Sequence, residues 1–208
     1  MDADLLINAV VTLFVTIDPP GLAPLFLAIT AGMNRAERRQ VALRATLIAA
    51  CVFVVFAIAG TLILALFGVT LAAFRVAGGL LLFWIAFEMV FERRQERHEN
   101  TARRAMTQDE IHSVSVFPLA IPLLAGPGAI SATILLSGQF EGIGGRAALI
   151  GIILSIVLLT YGVFLLAERV EGLLGNTGRT VLTRLLGVIL SALAVQFVAD
   201  GVKALIAA

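Results

Sequence analysis

This chain has almost nothing with which to do thiol or metal chemistry. Its one cysteine, Cys51, stands in an apolar run, so no intramolecular disulfide can form. Its two histidines, His98 and His112, lie in or beside a charged loop without cysteine partners, as ordinary loop histidines do. No metal or other cofactor is expected. Charge is scarce as well: Asp, Glu, Lys and Arg make up 14% of the residues and the net charge is +1. The basic residues are scattered through loops rather than gathered on a face, which argues against a nucleic-acid partner. Proline is rarer still. There are six, at 19, 20, 24, 118, 122 and 127, so every other apolar stretch is free of them.

What remains is apolar. Hydrophobic residues are 60% of the chain and the mean hydropathy is +1.02, far above a soluble domain. Six runs are long enough to cross a bilayer, at 5–30, 41–67, 69–91, 114–137, 146–167 and 181–206. The division at Phe67-Gly68-Val69-Thr70 carries no charge. A continuous helix from 45 to 74 would nevertheless be roughly 45 Å long, against ~30 Å of hydrocarbon, so it must turn. The opening Met1-Asp-Ala-Asp has acids and no base, unlike a secretory signal, so the first run is expected to be a permanent span. The lipid bilayer is therefore the chain's first partner.

Loop charge sets orientation. The loops after the first, third and fifth runs hold eleven basic residues: Arg35, Arg38, Arg39, Arg44, Arg93, Arg94, Arg97, Arg103, Arg104, Arg169 and Arg179. The other side has three: Arg75, Arg146 and Lys203. The odd loops are thus expected in the cytoplasm and both termini in the periplasm.

The two proline-bearing segments match. Gly126-Pro127-Gly128 lies 107 residues after Pro19-Pro20-Gly21, and Arg184-Leu-Leu-Gly187 lies 109 after Arg75-Val-Ala-Gly78. The chain is therefore expected to be a duplication, with repeat 1 at 1–91, a cytoplasmic linker at 92–113 and repeat 2 at 114–208. Each half has three spans, an odd number, so the halves are inverted about a pseudo-two-fold axis in the membrane plane. The expected fold is an all-α membrane protein of six transmembrane helices in one domain, built as two inverted three-helix repeats. Its first and fourth helices are broken at the Pro/Gly joints.

The joints are the candidate site. Asp18 lies mid-run, followed by Pro19, Pro20, Gly21 and Pro24, which argue against a continuous helix. One half-helix is expected to end near Thr16 or Ile17 and another to start near Gly21. A carboxylate inside a span is a functional candidate by default; a proline kink with Asp18 as a mere helix cap is the alternative. Half-helices starting at Gly21 and Gly128 would offer amides and a positive dipole end to a carboxylate, and Asp18 would suit an ammonium or a proton. A small zwitterion satisfies both. The expected substrate-binding set is Thr16, Asp18, Pro20, Gly21, Gly126, Pro127, Gly128, Ser131 and Gln196, with Asp18 also carrying the coupling proton. Thr133 adds a nearby hydroxyl. Glu88 and Asp200 lie near span ends and are expected at the interface, and Gly78, Gly79 and Gly187 are expected at close helix contacts.

Asp18-Pro-Pro-Gly-Leu-Ala-Pro-Leu-Phe26, Pro118-Leu-Ala-Ile-Pro-Leu-Leu-Ala-Gly-Pro-Gly-Ala-Ile130, Arg75-Val-Ala-Gly-Gly79 and Arg184-Leu-Leu-Gly187 with Val195-Gln-Phe197 resemble the MarC family of bacterial inner-membrane proteins. The resemblance covers nearly the whole chain. It implies a proton-driven transporter of small neutral amino acids such as glycine and alanine, not an enzyme, in the bacterial inner membrane. Where many members carry Asn after the Asp-Pro-x-Gly motif, this chain has Leu22, which removes a polar group from the implied site. A membrane-embedded enzyme or a passive channel using Asp18 are the competing classes, and homo-oligomer formation is left open.

Overall fold

Backbone N–H and C=O groups in hydrocarbon must bond within their own segment, so long apolar runs become helices. The computed structural model, which describes residues 3–93 and 115–207, is built accordingly. Helices α1 (Ala3–Ile17), α2 (Pro19–Ile29), α3 (Arg35–Leu66) and α4 (Leu71–Val90) form the first half. The second half has an irregular segment, Ser115–Leu124, then α5 (Pro127–Ser137), α6 (Gly142–Leu165) and α7 (Ala167–Ile206). There is no strand among the described residues. The linker from residue 94 to 113, with His98 and His112, lies outside them.

Five helical stretches are long and apolar enough to cross a membrane: Ala3–Ile29, α3, α4, α6 and Thr177–Ile206 of α7. A sixth is reached if Ser115–Leu124 and α5, bent by 56° to each other, are taken as one span.

Local chemistry sets the boundaries. Asn34 starts α3 through a capping box: its side chain accepts from the amides of Ala36 and Glu37 at 2.9 and 3.0 Å, and Glu37 accepts from the Asn34 amide at 2.8 Å. The uncharged turn expected near residue 68 is made by Gly68, at φ 67°, and by Thr70, whose hydroxyl accepts from the Ala73 amide at 3.1 Å. The loop expected between the runs ending at 167 and starting at 181 is largely helical instead. Only Leu166 separates α6 from α7, and the break falls inside α7 at Gly175, where φ is 58°.

α4 packs along α7 and α3 along α6, while α2 and α5 each lie against members of both pairs. Small residues let the first pair approach. A Cβ on Gly79 would sit 2.9 Å from the Ala194 carbonyl, and one on Gly201 would sit 2.9 Å from the Ala72 carbonyl. On α3 the buried stripe Ala42, Ala45, Ala49, Phe53, Ala57 and Gly60 follows helical spacing. The opposite faces leave Leu47, Val55, Leu62, Phe83, Leu158 and Val188 exposed, as a surface bathed in lipid requires. Of these five stretches Ala3–Ile29 is the most buried: 67% of its apolar window is buried, against 28–39% for the other four.

Candidate functional site

The first span is interrupted at one residue. Asp18 adopts the left-handed conformation, φ 57° and ψ 60°, between the end of α1 at Ile17 and the start of α2 at Pro19. Asp tolerates this region better than most residues because its short polar side chain can bond locally. Here the Gly21 amide donates to Asp18 Oδ1 at 3.2 Å. The Asp18 amide donates to the Phe14 carbonyl at 2.9 Å, and the Leu22 amide to the Asp18 carbonyl at 3.1 Å. The joint is therefore tighter than the several unwound residues expected from the prolines. Pro19 and Pro20 occupy first-turn positions whose amides have no intrahelical partner, so their missing donors cost nothing.

This geometry changes the role expected for Gly21. The first two residues of α2 have no N–H, the third is held by the Asp18 carboxylate and the fourth by the Asp18 carbonyl. The start of α2 thus presents its amides to Asp18 rather than to a ligand. Gly21 is needed for a different reason: a Cβ there would collide with the Asp18 carboxylate. Asp18 itself is 4% exposed, and Leu22 is wholly buried in the core beside it.

The second joint differs. Residues before proline are pushed to extended conformations, and Phe117 (φ −127°) and Ile121 (φ −131°) obey, ahead of Pro118 and Pro122. Both of these X–Pro bonds are cis. Irregular backbone therefore begins well before Gly126-Pro127-Gly128, where the break was expected. Gly126 precedes α5 in an extended conformation, and no side chain caps the helix. A Cβ on Gly126 would lie 2.7 Å from the Pro122 carbonyl, and one on Gly128 would collide with Ile85 of α4. Of the two helix starts, α5 is the one left open to an anion.

Around the joints, the Thr16 hydroxyl donates to the Thr12 carbonyl at 2.7 Å and the Thr133 hydroxyl to the Ala129 carbonyl at 2.8 Å, both buried. Ser131 is half-buried in the first turns of α5, and Pro20 is half-buried at the start of α2. Ile17, Leu22 and Ala23 share one buried cluster with Leu119, Leu123, Leu124, Ala125 and Ala129, so both joints abut the same core. Gln196 stands apart. It is exposed and lines a cavity with Asn8, Arg75, Gln139, Leu193, Phe197 and Asp200, to which no joint residue contributes.

Sequence reasoning placed Glu88 at an interface, yet it is 6% exposed. Its Oε1 accepts from Trp84 Nε1 at 3.1 Å, one helical turn away on α4. The donor at i−4 was the available signal. Among the described residues no group of three or more His, Cys, Asp or Glu is placed to hold a metal.

Apolar helices around a buried, carboxylate-bearing interruption define a polytopic integral membrane protein. The model of the MarC family integral membrane proteins matches residues 3–206, and the chain belongs to that family. It is 36% identical to a UPF0056 membrane protein of Methanocaldococcus jannaschii, over 98% of each chain. It is 34% identical to the UPF0056 membrane protein YvbG of Bacillus subtilis, over 95% of this chain and 94% of that one. With the UPF0056 membrane protein YhcE of Escherichia coli the identity is 35%, over 92% and 88%. No solved structure matches the chain.

Proposed function

We propose that the protein is a secondary transporter of small neutral amino acids of the glycine and alanine type, coupled to protons, in the bacterial inner membrane. One observation carries this. Asp18, at 4% exposure, sits at a left-handed interruption of a largely buried span, where a carboxylate is costly although an uncharged residue could supply the same helix cap. In this proposal Asp18 holds the substrate ammonium or the coupling proton. The uncapped start of α5, with Gly126, Pro127, Gly128 and Ser131, receives the carboxylate. Thr16, Pro20 and Gly21 wall the first joint, and the glycines keep it narrow.

In this proposal the halves are inverted repeats, an arrangement suited to alternating access. What supports two equivalent halves is that α4 lies against α5 as α7 lies against α2, while α3–α6 and α4–α7 pair like with like. Both termini are proposed to face the periplasm, from the excess of arginine on the opposite loops. Transport rather than catalysis is proposed because the second joint brings no ionisable or nucleophilic partner at its break, Ala125 to Gly128.

Counterflow in proteoliposomes tests the substrate class. Vesicles loaded with unlabelled alanine should take up labelled alanine and glycine well above protein-free vesicles. Labelled leucine and glutamate should not enter by this route. Absence of alanine and glycine exchange in correctly inserted protein would overturn the proposal.

A further inference from the structure

The polar cavity lined by Gln196, of about 290 Å³, opens between α1, α4, α7 and the turn after α5. Asn8 comes from the N-terminal half of α1, Arg75 from the start of α4, Gln139 from the turn after α5, and Gln196 and Asp200 from the end of α7. All these ends lie on the face that carries the chain termini, away from the arginine-rich loops. The wall combines a guanidinium, a carboxylate and carboxamides, in a surface that is otherwise apolar.

Two details make this more than a dent. Arg75 Nε is buried and has no hydrogen-bond partner, and among the described residues no ion pair joins Arg75 to Asp200 although both line the same space. A cation and an anion that could neutralise each other at such a site normally do, because each alone is costly to desolvate. Held apart across a cavity, they are complementary to a molecule bearing both charges. The guanidinium fork suits a carboxylate bidentately, and a carboxylate accepts from an ammonium. The volume is at the small end for ligand pockets and suits a small occupant.

We propose that this cavity is an outer vestibule that binds a small zwitterion before it reaches the buried joint, Arg75 taking its carboxylate and Asp200 its ammonium. Gln139 and Gln196 supply hydrogen bonds at the rim. This deepens the transport reading and rests on it for the identity of the zwitterion.

Site-directed protection tests it on the full chain in lipid nanodiscs. Gln196→Cys in a Cys51→Ser background places one thiol in the cavity wall, and a small neutral thiol reagent reports its accessibility. With alanine held at about ten times its Kd, the modification rate should fall roughly tenfold by mass action. Propionate, lacking the amine, and alaninamide, lacking the carboxylate, should leave the rate within about twofold. Arg75→Gln added to this background should abolish protection by alanine, whereas Asp18→Asn, at the buried joint, should retain it. Should Arg75→Gln fail to fold, Asp200→Asn gives the same test from the other charge. No protection by alanine, or equal protection with Arg75 and Asp200 neutralised, overturns the vestibule even where counterflow works. Loss of protection in Asp18→Asn also overturns it, because the two sites are then one. Protection without any counterflow in wild type would instead uphold the vestibule and sink the transport reading.

Discussion

At Asp18 two roles are superimposed on one side chain. It tolerates the left-handed backbone and caps α2 through Gly21, and it is also the proposed carrier of charge. Asp18→Ala removes all of these. The lost cap costs about 0.5–2 kcal/mol, and an alanine Cβ in the left-handed region about 1–2 kcal/mol more. Asp18→Asn keeps an acceptor on the Gly21 amide and a residue that tolerates the conformation. The Asn variant is therefore expected to melt close to wild type in detergent, and the Ala variant clearly below it. Were the two to melt alike, Asp18 would not be the cap. Gly21→Ala should also lower stability, since its Cβ displaces the carboxylate it collides with. Sequence flagged Asp18 and Gly21 correctly as special but assigned Gly21 to the ligand. The distinction depends on a bond three residues long that no pattern of residue types reveals. Thr16 and Thr133 are similar: their spacing is compatible with ligand contact, yet both hydroxyls are bonded to carbonyls one turn back.

Among the helices, the close crossing of α4 and α7 makes the most specific demand. A methyl on Gly201 would lie 2.9 Å from both the Ala72 carbonyl and the Val76 amide, so the backbones must part. Gly201→Ala is expected to cost about 1–3 kcal/mol, the usual range for overpacking. Gly151 on α6 has nothing within 4 Å of the same added atom. Gly151→Ala should therefore be neutral or stabilise by up to about 1 kcal/mol, from helix propensity alone. Unfolding in mixed detergent micelles compares the two, and equal effects would contradict the packing described. Gly79 and Gly187 at this contact were legible from Arg75-Val-Ala-Gly-Gly79 and Arg184-Leu-Leu-Gly187, whereas Gly201 stands in no such motif. The extents of the joints were not. Proline says that helix is disfavoured before it, but not that Asp18 can confine the interruption to one residue, nor that irregular backbone starts as early as Phe117.

For the molecule as a whole, composition alone gave the membrane class, because hydrocarbon leaves an apolar chain of this kind little choice but helices. Glu88 had a local signal in Trp84, one turn before it on the same helix, but the placing of Arg75 and Asp200 in one cavity wall was not legible, because they stand in different halves of the chain and are brought together by tertiary packing. The proposed orientation rests on the arginines of the odd loops. A reporter active only in the cytoplasm, fused after Ala208, should stay silent, and the same reporter inserted after Arg94 should be active. The reverse pattern would overturn the proposed orientation, and activity at both positions would undo the proposed inversion of the halves. The most direct measurement is accumulation of labelled alanine in proteoliposomes under an imposed pH gradient, wild type beside Asp18→Asn. Wild type should concentrate alanine transiently above the external level and lose this on collapse of the gradient by a protonophore, while the equally inserted Asn variant should not concentrate it at all. Full gradient-driven accumulation by Asp18→Asn would reduce Asp18 to a helix cap and contradict the proposed mechanism.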